Sequence, residues 1–141
     1  MTLDLAQLNW LAVLVGGLIY FVLGAGWYSP ALFGRPWQRS IGWDQSQAPP
    51  QQSPITYVLP LVAFLVMAVS VGLIAAATET DELGEGIVLG LVLGIGLSLA
   101  HTFVDASFSP EKPQPWTWFA INGTYHALGL IIVSVIVAVW P

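Results

Sequence analysis

Apolar residues run in four long blocks, from about Asn9 to Tyr28, Ile55 to Ala77, Ile87 to Phe108 and Trp116 to Trp140, and polar residues collect mostly between them. Each block is roughly 20 residues or more, enough to cross about 30 Å of hydrocarbon as an α-helix whose backbone satisfies its own hydrogen bonds. The pattern predicts an all-α fold: an integral membrane bundle of four antiparallel transmembrane helices, with residues 1–141 as a single membrane domain. Pro60 falls in the first turns of the second block, where a missing N–H matters least. Nothing basic precedes the first block, so it reads as a retained span and not as a cleaved signal.

The connection 29–54 is too long for a plain turn. Ser29 and Pro30 suit an N-cap and a first helical residue, after which Phe33, Trp37 and Ile41 recur every four residues on one face and Arg35 with Arg39 on another. This predicts a short interfacial helix between spans one and two, with Trp37 in the acyl boundary and both guanidinium groups at lipid headgroups. The remainder, 44–54, is rich in Gln, Pro and Ser and reads as a tether.

Composition narrows the class. With 56% hydrophobic and 8% charged residues, the chain has too little polar side chain to cover a soluble globule, which carries roughly 25% charged residues. A net charge of -5 lacks the basic footprint that nucleic acid requires. The absence of Cys excludes disulfides, thiolate metal sites and cysteine nucleophiles. Arg35, Arg39 and Lys112 all fall in the first and third connections, whereas the second carries Glu79, Asp81, Glu82 and Glu85 without a cation. The positive-inside rule then places both termini outside. Trp10 and Trp140 mark the outer boundary, and Trp27, Trp116 and Trp118 the inner one, as indole rings prefer the headgroup level.

Candidate chemistry is concentrated on spans three and four. Gly86, Gly90 and Gly94 repeat every four residues, with Ser98 and Thr102 continuing the stripe, so a neighbouring backbone can approach closely, either within one chain or between two copies. His101 and Asp105 lie one turn apart, and Asn122 and His126 share that spacing around Tyr125. Both histidines fall at comparable depth, roughly 10 to 14 Å into the slab, with Tyr20 of span one near that level. Tyr20, His101, Asp105, Asn122, Tyr125 and His126 thus form a candidate polar site, expected between spans three and four. Two roles fit it. One is a purely structural seam in which His101 pairs with Asp105 and His126 with Asn122 or Tyr20. The other is proton or small-solute handling. Metal binding by the two His and one Asp is chemically possible but lacks a dense ligand motif, and bis-His haem ligation would need the two rings opposed across a cofactor-sized gap. No phosphate loop or catalytic elbow occurs, and no cofactor and no catalytic residue is expected.

Asn9-Trp10-Leu11-Ala12-Val13, the run Gly26-Trp27-Tyr28-Ser29-Pro30 through Leu32-Phe33-Gly34 and Trp37, and Asn122-Gly123-Thr124-Tyr125-His126 resemble the small multi-span membrane family catalogued as domain of unknown function 1761. The resemblance covers nearly the whole chain and implies a four-helix membrane protein of prokaryotic type, in the inner membrane, with no activity to carry over. The functional expectation is a transporter-like or channel-like protein acting as a homo-oligomer, a dimer above all, in contact with membrane lipids. The alternatives are an accessory or scaffold subunit of a larger membrane complex, or a lipid-, metal- or cofactor-binding membrane protein.

Overall fold

The computed structural model describes residues 4–47 and 53–140. Its main elements are α1 (Trp10–Trp27), the short α2 (Gly34–Ser40), α3 (Ile55–Ala77), α4 (Leu83–Ser107) and α5 (Pro115–Val139). All but α2 are long and apolar enough to cross a membrane, and no strand occurs among the described residues. The third span begins four residues earlier than its apolar block, because Leu83 and Gly84 extend the helix before Ile87. The tether expected over 44–54 lies partly outside the described residues.

Local chemistry sets the ends. The Asn9 side chain accepts from the Leu11 and Ala12 amides, 3.1 Å each, and donates to the Trp140 carbonyl at 3.2 Å, so one residue caps α1 and ties it to the end of α5. Pro115 opens α5 at a position where its missing N–H goes unmissed. The interfacial helix corrects the expectation that Ser29 and Pro30 start it. Residues 28–33 instead fold into tight turns, with Phe33 N–H on the Trp27 carbonyl at 3.0 Å and Gly34 N–H on the Ser29 carbonyl at 2.9 Å, and the helix begins at Gly34. Any Cβ on Gly34 would collide with the Tyr28 carbonyl, so only glycine closes this turn.

The four spans do not form a closed square. α1, α3 and α5 pack against one another, whereas α4 packs against α5 with no comparable packing on α1 or α3. Half of the most apolar stretch of α5 is buried inside the protein, against 17% for α4. The central helix is therefore α5, and its inward positions, among them Ile121, Gly123, Tyr125, Ala127, Val133 and Ala138, make the core with Val13 and Tyr20 of α1 and Phe64 and Ala68 of α3.

Candidate functional site

Tyr20 organises the interior. Its ring is fully buried, stacked on Phe64 at 4.2 Å between centroids, and lies so close to Gly129 that a Cβ there would collide with it. Its hydroxyl sits 2.7 Å from His126 Nδ1 and 3.3 Å from the His126 carbonyl. Two proton arrangements satisfy these distances. Tyr20 donates to Nδ1, or Nδ1–H donates to Tyr20 while Tyr20 donates to the carbonyl. Tyr125 donates to the Tyr20 carbonyl at 3.0 Å, Tyr28 donates to Asn122 Oδ1 at 2.7 Å, and the Trp27 indole donates to the Ile121 carbonyl at 3.1 Å. Asn122 in turn donates to the Trp118 carbonyl at 2.9 Å. The result is a ladder of polar bonds joining α1 and its C-terminal Tyr28 to α5, wrapped in aromatic rings from Trp27, Tyr28, Phe64 and Tyr125.

The structure therefore brings Tyr20, Asn122, Tyr125 and His126 together at the α1–α5 seam, and leaves His101 and Asp105 elsewhere. Both are exposed on α4. This corrects the expected convergence of spans three and four, and its cause is in the backbone. Residues Val92–Leu99 form a π-helix, in which the Ala100 amide reaches back five residues to the Ile95 carbonyl. An α-helix advances about 100° per residue, so a strict four-residue repeat slips roughly 40° around the axis at each step. The wider π turns take up that slip, so that Thr102 and Ala106 lie buried on the same face as Gly86, Gly90 and Gly94. His101 and Asp105 each precede a buried residue by one position and so lie about 100° away from the seam. In an unbroken α-helix His101, seven residues after Gly94, would have come back to within about 20° of it.

The glycine stripe itself faces α5 of the same chain. A Cβ on Gly86 would meet Ala138 at 2.8 Å, one on Gly90 the Ile131 Cα at 2.5 Å, and one on Gly94 the Ala127 carbonyl at 2.8 Å. Two copies cannot pack on this face, because it is occupied. Beyond Gly94 the tight contact passes to Leu99, which sits against Gly123, while Ser98 is half-buried and its carbonyl accepts from the Thr102 hydroxyl at 2.8 Å.

At the opposite end from Asn9 and Trp140, Arg35 and Arg39 are exposed on α2, but Trp37 is turned inward, edge-on to Tyr28 at 5.5 Å. Its buried indole nitrogen has no hydrogen-bond partner among the described residues. Lys112 lies at the same end, where the Gln114 amide donates to the Ser40 carbonyl at 3.2 Å. Its amine donates to Ser109 at 2.8 Å and to Glu111 at 2.9 Å and sits 4.5 Å over the Trp118 ring, and the hydrogen bond from Lys112 holds the Glu111 carboxyl below the usual range. Trp27, Tyr28, Phe64 and Gly129 belong to the polar layer without having been picked out for it. The signal for two of them was present: Trp27 and Tyr28 follow Tyr20 by seven and eight residues, two helical turns along one face. No cluster of three or more His, Cys, Asp or Glu side chains able to hold a metal ion occurs among the described residues.

Four apolar helices, two of them tied by an internal polar ladder, with all three Lys and Arg residues at one end and Glu79, Asp81, Glu82 and Glu85 at the other, define a small multi-pass membrane protein. The family described as "Protein of unknown function (DUF1761)" matches residues 11–138, and the chain belongs to it. No curated protein and no solved structure matches the chain.

Proposed function

We propose that this protein is a self-assembling module of the prokaryotic inner membrane, termini outward, whose working surface is the outer face of α4. One observation carries this reading: the π segment turns His101 and Asp105 away from the occupied seam and onto a helix that is packed on one side only. His101 lies six residues from the end of its span, about 9 Å deep, where an imidazole facing acyl chains is unfavourable unless a partner covers it. Gly96 and Ala100 on the same stretch are exposed, and nothing lies within 4 Å of a Cβ placed on Gly96, so another helix can approach closely there. A second copy offers a donor and an acceptor one turn apart and is self-complementary. π segments are rare and frequently coincide with functional positions, which fits a device that re-aims two polar side chains.

The absence of Cys makes the test direct. Ala100→Cys should give cross-linked dimers in native membranes, and Val62→Cys on the lipid face of α3 should not; equal yields from both would sink the proposal. His101→Ala with Asp105→Ala should weaken dimerisation by about three- to ten-fold, the size of one or two interhelical polar bonds.

A transporter-like or channel-like activity is the second reading, supported by the ionisable pair at that joint and not by the interior, where His126 is bonded to Tyr20 and ringed by aromatics. Proton or solute flux in liposomes that vanishes in Asp105→Asn, with dimers intact, would establish it. Dimers without flux leave a scaffold or accessory subunit.

A further inference from the structure

The end of the protein that carries Asn9 and Trp140 holds a second feature, independent of the α4 face. Between the start of α1 and the end of α3 lies a cavity of about 320 Å³, with an apolar floor that includes Leu8, Val13 and Ala75 and a rim of Asn9, Glu79 and Asp81. At the roughly 30 Å³ that a liquid water molecule takes up, it holds on the order of ten non-hydrogen atoms. Trp10 and Trp140, both exposed beside it, put its mouth at headgroup level. Arg35, Arg39 and Lys112 are all at the opposite end, so the carboxylates on this rim face no cation of their own chain among the described residues. Glu79 adds a peculiarity. It follows the C-cap Thr78 of α3 with φ of 53°, the left-handed conformation that glycine normally supplies at that position.

We infer that this cavity binds an alkylammonium group, its short aliphatic arm on the Leu8–Val13–Ala75 floor and its nitrogen between the Glu79 and Asp81 carboxylates. A carboxylate or phosphate in the same place would meet like charge, and a fully apolar molecule would leave the rim unused. The same chemistry occurs in the ethanolamine headgroup of a phospholipid and in a soluble amine.

The purified full chain, titrated with butylammonium, butanol and butyrate and followed by thermal stability, distinguishes the cases. Butylammonium should bind at least about ten-fold more tightly than butanol, as a charge-assisted bond in a partly dry site allows, and butyrate should not bind. Glu79→Gln with Asp81→Asn should bring the butylammonium-to-butanol ratio to about one. Glu79→Gly provides the control against misfolding. Glycine relieves the left-handed backbone, so melting temperature should rise while amine binding falls.

Nanodiscs made from equal parts ethanolamine- and glycerol-headgroup phospholipid identify the source. Preferential retention of the ethanolamine lipid, displaced by butylammonium, assigns the site to lipid, and binding of butylammonium without lipid preference assigns it to a soluble amine. No advantage of butylammonium over butanol overturns the inference, whatever the oligomeric state.

Discussion

At the scale of single residues, the least room for an added methyl group at any described glycine is where an aromatic ring covers Gly129. Tyr20 lies on Gly129 with no room for a methyl group, and its hydroxyl is one of several polar links from α1 to α5. Two substitutions separate these contributions. Tyr20→Phe removes one hydroxyl and should cost about 1 kcal/mol, since interhelical bonds in membranes are modest. Gly129→Ala forces the ring out of a packed core and should cost about 2 kcal/mol or more. Unfolding by steric trapping in bicelles would measure both. In a Tyr20→Leu background the Gly129→Ala cost should fall, and equal costs in the two backgrounds would show that the ring is not what constrains Gly129. The sequence marked Tyr20, Tyr125 and His126 as polar groups at one depth, because their intrusion into apolar blocks is visible in one dimension. Their true partners were hidden, because which helices neighbour each other is a property of packing, and of the observed pairs only His126 with Tyr20 is suggested by depth along the spans.

At the scale of elements, α4 shows why a residue repeat does not by itself place side chains. The glycines of the stripe read from the sequence do face a neighbouring backbone, and beyond Gly94 it is the widening of the helix over Val92–Leu99 that brings Thr102 and Ala106 back to that face. Nothing in the residue types announces a π segment, although a four-residue repeat sustained from Gly86 to Thr102 exceeds what a 3.6-residue turn keeps on one face. Gly90→Leu should pry α4 from α5, at about 1 to 3 kcal/mol, because the first added carbon meets the Ile131 backbone. Gly96→Ala should change stability by less than about 0.5 kcal/mol. A cysteine at Ala127, buried beneath Gly94, would report the difference: maleimide should label it faster in Gly90→Leu than in the parent. Equal labelling would mean that the stripe does not hold the seam. Three of the four long helices, by contrast, were readable to within about a residue at each end, and the third begins four residues before its apolar block, because a lipid phase admits few other ways to satisfy an apolar backbone while Glu85 at its start hid the first turn.

At the scale of the whole molecule, charge and packing are both asymmetric. All three basic residues gather at one end, next to an α2 whose Trp37 is turned inward onto Tyr28, and the opposite end carries Glu79, Asp81, Glu82 and Glu85. A cysteine at Thr80 should react with a membrane-impermeant maleimide added to intact cells, and one at Ser46 only after lysis; the reverse pattern would overturn the proposed orientation. The layout also constrains biogenesis. The fourth hydrophobic segment is the last of the four to leave the ribosome, yet it supplies the acceptors for the Tyr20, Tyr28 and Trp27 donors and the surface on which α4 rests. Until it inserts, these donors lack their native acceptors and α4 lacks its seat, so a translation product that stops before Pro115 should be short-lived in the membrane.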